Sequence, residues 1–189
     1  DRRQRQMCIR DRLKNVSELR NAARNIDNMA VRDSLTGVYN RMGINRFVVD
    51  MVKQANTSRR RLLFIFADMD GLKKINDEFG HEAGDQAICL AAEALQEAFC
   101  EKELIIRYGG DEFLVVSDAL CWEQAEEKKA QITALLKQWQ RDEKLPYRLS
   151  MSIGYYQKEP DTEASMEQYI NWADERMYEM KCKNREQRK

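Results

Sequence analysis

The chain has 189 residues, enough for one domain and an appendage. It is 43% hydrophobic and 34% charged, a polar composition that still folds. Thirty-two Lys and Arg balance 32 Asp and Glu, so no overall basic field points to nucleic acid. No apolar run approaches the roughly 20 residues of a membrane span, and no secretory pattern opens the chain. The five cysteines (Cys8, Cys89, Cys100, Cys121, Cys182) are odd in number, widely spaced and without a CxxC. With a single histidine beside them, a disulfide scaffold, a zinc finger and any two-histidine mechanism are excluded.

Residues 1–30 hold neither Gly nor Pro. Ile9, Val16, Ala23 and Ala30 recur every seven positions, with Leu19 and Ile26 three after Val16 and Ala23. This predicts a coiled-coil-like signalling or linker helix that pairs with a second copy. The chain opens at Asp1 rather than Met, and is expected to be the output end of a longer protein whose sensor precedes it. Asp33-Ser34-Leu35-Thr36-Gly37 reads as a turn, and Asn40 as the cap of a helix with Ile44, Phe47, Val48, Met51, Val52 and Ala55 on one face. The apolar run Leu62–Ala67 reads as a central strand, ending in Asp68-Met69-Asp70. A short helix is predicted over 72–79, and another after Gly84-Asp85 with Ile88, Ala91, Leu95, Ala98 and Phe99 inward. Strands 104–108 and 113–117 flank Gly109-Gly110, where two glycines at positive φ would suit a tight hairpin. Residues 122–140 form an amphipathic helix with Trp122, Ala125, Ile132, Leu135, Leu136 and Trp139 inward. A strand over 147–156 follows, then a helix over 165–180 with Met166, Tyr169, Ile170, Ala173 and Met177 inward. This order predicts an α+β fold, a largely antiparallel sheet with helices packed on it.

Two acidic groups invite chemistry. Asp68 and Asp70 emerge at the end of an apolar strand, and hard cations take such carboxylates together with substrate phosphates. Taken alone, an Asp-x-Asp at a strand end is an ordinary turn feature. Asp111 and Glu112 follow the hairpin glycines, and a hairpin beside the first strand would bring Asp111 to Asp68 around one or two cations. Glycines at the tip would let phosphates approach the backbone.

Together, Arg107-Tyr108-Gly109-Gly110-Asp111-Glu112-Phe113 contains an intact GGDEF motif, and the chain resembles the GGDEF-domain diguanylate cyclases over about residues 32–186. The resemblance also covers Asp33-Ser34-Leu35-Thr36-Gly37 with Asn40-Arg41, Lys73, Ile75-Asn76-Asp77, Phe79-Gly80-His81, Ser150–Gly154 and Ala173-Asp174 through Lys181. It implies a ferredoxin-like fold, similar to nucleotide-cyclase and polymerase palm domains, over residues 31–186, with 187–189 a charged tail. It implies that two GTP are condensed to cyclic di-GMP and two pyrophosphates across a homodimer. By the same resemblance Asp68, Asp111, Glu112 and the Met69 carbonyl would bind Mg²⁺ or Mn²⁺. Asp111 would activate the 3′-hydroxyl, directly or through the metal, and Gly109 and Gly110 would receive the triphosphate. Lys73, Lys181 and Arg185 would hold phosphates and developing charge, while Asn76 and Asp85 would read guanine. A carboxylate accepts from the guanine ring N–H and exocyclic amine together, which adenine does not offer. His81 is expected to be structural, near the nucleotide.

The departures also carry expectations. Family members often have an inhibitory product site, Arg-x-x-Asp, where this chain has Cys100 and Glu103, so product inhibition there should be weak or absent. A Gly-Arg-Asn segment is replaced by Asn184-Arg185-Glu186, which changes the surroundings of Arg185, and Gly71 and Leu72 stand where Phe is common. The alternatives to an active cyclase are a non-catalytic module binding GTP or a partner, and a cyclase of relaxed purine choice. The expected location is the cytoplasm, within a protein that is itself soluble or membrane-anchored, with no nucleic-acid or membrane contact by this chain.

Overall fold

In the computed structural model, residues 30–99 and 102–186 are described, with side chains to Cys182. The expected N-terminal helix, the charged tail, Cys100 and the Arg185 side chain lie outside the described residues. The chain divides after Arg32, and a second compact unit begins at Asp33.

A π-helical turn (Ile44–Val48) runs into α1 (Val49–Thr57), followed by β1 (Leu62–Met69), α2 (Leu72–Phe79) and α3 (His81–Ala98). β2 (Leu104–Arg107), β3 (Glu112–Ser117), α4 (Trp122–Asp142), β4 (Met151–Lys158) and α5 (Met166–Glu186) complete the order. The sheet order is β2-β3-β1-β4, and every strand pair is antiparallel. This is a β-α-β-β-α-β ferredoxin-like arrangement, in which β1 lies between two partners.

That position explains the sequence of β1, whose eight residues are all buried. Leu63, Ile65, Ala67 and Met69 pack with Ile75, Ile88, Leu95, Ile132 and Leu136 from α2, α3 and α4. Leu62, Phe64 and Phe66 pack with Val48, Tyr169, Ile170, Ala173 and Met177 on the opposite face. A strand covered on both sides is apolar throughout rather than alternating, and each such side chain contributes about 1.5–3 kcal/mol on burial.

Local signals behave as expected at several points. Asn40 Oδ1 accepts the Met42 amide at 2.9 Å, capping the first helical turn. Gly154 of β4 sits where α5 crosses, and a Cβ there would collide with the Met177 backbone. The glycine therefore sets how closely α5 lies on the sheet.

Four expectations are corrected. The second helix begins at His81, so Gly84 and Asp85 lie within it, and Gly80 at φ 88° starts it instead. The sheet edge begins at Met151 rather than Tyr147, because Tyr147 and Leu149 are buried by packing without pairing in the sheet. Trp122 is 51% exposed rather than inward. It occupies the first position of α4, where its amide donates to Gln157 Oε1 at 3.2 Å. Finally, Gly109 and Gly110 are not among the glycines at positive φ. The connection spans four residues, Tyr108–Asp111, so the chain reverses without left-handed geometry.

Candidate functional site

The site is built on the cross-strand register. Asp68 of β1 stands opposite Glu112 of β3 on one side and Ser152 of β4 on the other. The hairpin tip is tied back to β1, since the Met69 amide donates to the Asp111 carbonyl at 3.0 Å. Thus the Asp-Met-Asp and GGDEF segments, 43 positions apart between Asp68 and Asp111, meet at one end of the sheet. Like charges directly opposite on neighbouring strands destabilise a sheet. Lys181 of α5 offsets this by donating to Asp68 Oδ1.

The electrostatics follow from burial and crowding. Desolvation raises the Asp68 carboxyl above its usual pKa; Lys181 opposes this, while the charges of Asp111 and Asp70 add to it. Burial likewise raises Glu112, reinforced by Asp68, Asp111 and Asp174 and opposed by Lys181. Asp174 is raised by burial and by Glu175, again against Lys181. Asp174 was assigned no role from sequence. It lies on the same face of α5 as Lys181, and a seven-residue helical spacing between an acid and a lysine was the available signal.

Asp70 has a different setting. Its two carboxylate oxygens accept the Ser150 hydroxyl at 2.8 Å and the Ser152 hydroxyl at 2.7 Å. The tip is braced from a second direction by Arg107, which donates to the Gly110 carbonyl at 2.8 Å and to Asp33 at 3.0 Å. Burial works against the Asp33 charge, but hydrogen bonds from Thr36 and Arg107 hold its carboxyl below the usual range. Sequence reasoning placed Asp33 in a turn and did not foresee this brace.

The glycines at the tip differ from each other. A Cβ on Gly109 would collide with the Glu112 carboxylate, whereas one on Gly110 would meet nothing within 4 Å. Away from the tip, Asn76 of α2 packs against Gly84 of α3, where any Cβ would collide with Asn76 Oδ1. That oxygen is buried with no hydrogen-bond partner among the described residues. His81 and Asp85 are exposed, one turn apart on α3, and Lys73 is exposed in the first turn of α2. Among the described residues, no hydrogen bond or ion pair joins Lys73, His81 or Asp85 to the hairpin. Glu103 is buried and accepts the Ser117 hydroxyl at 3.3 Å.

Among the described residues, no three His, Cys, Asp or Glu side chains already converge as a metal cage. The carboxylates that the backbone register brings to this end of the sheet, Asp68, Asp111 and Glu112, offer only oxygen. Such a set suits a hard cation such as Mg²⁺, whose shell phosphates and water complete.

The family model described as "Diguanylate cyclase, GGDEF domain" matches residues 30–187. The chain belongs to the GGDEF domain family. It is 31% identical over 170 residues to the bifunctional diguanylate cyclase/cyclic di-GMP phosphodiesterase MucR of Pseudomonas aeruginosa, covering 90% of this chain and 25% of MucR. It is 31% identical over 174 residues to diguanylate cyclase DgcP of Escherichia coli, covering 88% of this chain and 49% of DgcP. The chain thus spans less than half the length of either relative. Among solved structures, the coiled coil and GGDEF domain of DgcB from Caulobacter crescentus, in complex with c-di-GMP, is similar in fold. Its TM-score is 0.75 at 21% identity, with 92% of each chain covered. A further microbial GGDEF domain superposes with a TM-score of 0.67 at 31% identity, covering 82% of this chain and 94% of that one. The expected fold is therefore the observed one, and no helix among the described residues is long and apolar enough to cross a membrane.

Proposed function

We propose that this GGDEF domain is an active diguanylate cyclase, joining two GTP into cyclic di-GMP with release of two pyrophosphates across a homodimer. The observation that supports this most is the placement of Asp68 opposite Glu112, with the Asp111 carbonyl bonded to the Met69 amide. Asp68, Asp111, Glu112 and the Met69 carbonyl would hold Mg²⁺ or Mn²⁺. When bound, such an ion neutralises the triphosphate and polarises the reacting phosphate.

The residues of the chain supply binding and orientation. Gly110 has open space around it and no positive φ, so neither packing nor backbone conformation calls for a glycine there. Close approach of a triphosphate to the tip accounts for it. Lys73, Lys181 and Arg185 complement phosphate charge. Asp85 accepts from the guanine ring N–H and exocyclic amine, and the orphaned Asn76 oxygen beside Gly84 provides a further acceptor. His81, on the same helix, is structural beside the nucleotide. In each half-reaction a 3′-oxygen bonds to the α-phosphorus of the facing nucleotide. The α–β bridging bond breaks, pyrophosphate leaves, and the hydroxyl proton departs toward Asp111. One domain holds one nucleotide, so two domains must face each other, and residues 1–30 are the proposed pairing device.

The test is mass-spectrometric product analysis after incubation with GTP and Mg²⁺ over a range of protein concentrations. Cyclic di-GMP whose yield per protomer rises with concentration is expected. No cyclic dinucleotide from a confirmed dimer would overturn the proposal. With Cys100 in place of arginine and Glu103 bonded to Ser117, turnover is expected to continue as cyclic di-GMP accumulates.

A further inference from the structure

Lys181 reaches Asp68 from a helix that crosses the sheet, and both side chains are largely shielded, 20% and 10% exposed. Asp68 faces Glu112 in register, with Asp174 on the Lys181 face of α5. A shielded like-charge pair needs a cation beside it. Among the described residues, the cation that contacts Asp68 is Lys181. Its influence also extends past Asp68, drawing the Glu112 and Asp174 carboxyls down against the burial that raises them.

This has a consequence for any divalent ion. An ion that takes Asp68 must compete with an ammonium already on one of its oxygens, and two cations on one carboxylate repel. Once released, the ammonium loses its partner in a half-buried place, which is costly unless an anion replaces the carboxylate. A triphosphate carried by the incoming ion provides that anion.

We propose that Lys181 is an exchangeable counter-ion: it excludes free divalent cations from Asp68 and yields only to a metal–triphosphate complex, to whose phosphates it transfers. The inference rests on Asp68 being a metal ligand, as argued above. It assigns Lys181 a role before substrate arrives, in addition to phosphate binding. It also makes metal and nucleotide binding reciprocal, with part of the coupling carried by this one side chain.

The experiment reads Mn²⁺ binding by electron paramagnetic resonance, in nucleotide-free protein and with a GTP analogue that resists phosphoryl transfer. Wild type should bind Mn²⁺ weakly without nucleotide and far more tightly with it. Lys181→Met keeps the length and removes the charge. It should bind Mn²⁺ without nucleotide about tenfold more tightly than wild type, with the nucleotide-dependent gain reduced. Lys181→Arg keeps a cation and should restore the weak nucleotide-free binding. The melting temperature of Lys181→Met should fall in chelator and recover with Mn²⁺, which separates a folded variant from a damaged one. Unchanged or weaker nucleotide-free Mn²⁺ binding by Lys181→Met would overturn the inference. If Asp68→Asn still abolished Mn²⁺ binding in the presence of the analogue, the metal-ligand reading would stand without it. If Asp68→Asn left that binding intact, both would fall.

Discussion

Asp68 and Asp70 lie two residues apart at the same strand end and are nearly equally buried, 7% and 9% exposed. Asp70 accepts from the hydroxyls of Ser150 and Ser152, and its backbone amide donates to the Ser150 carbonyl. Asp68 has Lys181 on one oxygen and Glu112 across the strand pair. A carboxylate whose oxygens are met by hydroxyls is held by the fold and holds the fold. One set among like charges raises the energy of the empty site, and an added cation relieves it. The comparison sets an aspartate tied by hydrogen bonds to two serines beside a candidate metal ligand within one three-residue motif.

The difference can be broken most directly at the hairpin. Asp111→Asn should lower cyclic di-GMP formation by roughly a thousandfold or more, as expected for losing a metal-side carboxylate. Its melting temperature should hold or rise, because one member of a repelling cluster is neutralised. A variant retaining activity would remove the hairpin from the reaction. Asp70→Ala should do the reverse, costing about 2–3 kcal/mol in urea unfolding by taking the acceptor from the buried Ser152 hydroxyl. Its loss of activity per folded molecule should be far smaller than that of Asp111→Asn.

Gly154→Ala tests whether the α5–sheet distance matters to both. Forcing a methyl against the Met177 backbone should cost about 1–3 kcal/mol and displace Lys181, four residues on. Stability measured by denaturant and nucleotide affinity should fall together.

The smallest effects are in the pH dependence. The folded carboxyls of Asp68 and Glu112 are raised above the ordinary 3.8 and 4.5. Their contribution to stability is therefore greatest in acid, below those ordinary values, and is lost as pH rises through the folded ones. The thermal stabilisation by Mg²⁺ over chelator should accordingly grow from pH 4 upward and level off once both are ionised. Asp33 has the opposite sign: its carboxyl lies below the ordinary 3.8, so its contribution is present above that value and lost as pH falls through the lower one. Asp33→Asn should flatten that acid-side loss and leave the Mg²⁺ effect unchanged.

Much of this was legible in the sequence. An unbroken apolar run announced β1, and the helical spacing of Tyr169, Ile170, Ala173 and Met177 gave the buried face of α5. The GGDEF segment named the family. Periodicity was less informative where no regular element forms. Tyr147 and Leu149 look like strand residues because they are buried, and Trp122 looks inward because it keeps step with its helix. Burial depends on what lies opposite, which one segment does not contain.

The chain by itself determined which residues are apolar, where the acidic and glycine-rich segments lie, and what chemistry those side chains are capable of. Only the tertiary structure decided which carboxylates share space. The register of β1 against β3 put Glu112 beside Asp68, Ser152 of β4 and Ser150 just before it bonded Asp70, and the close crossing at Gly154 allowed Lys181 to reach the pair. Charge interactions fall off with distance and depend on shielding from water. A carboxylate's role is therefore set by its neighbours in space, and those neighbours are brought from distant parts of the sequence by the packing of the sheet and its helices.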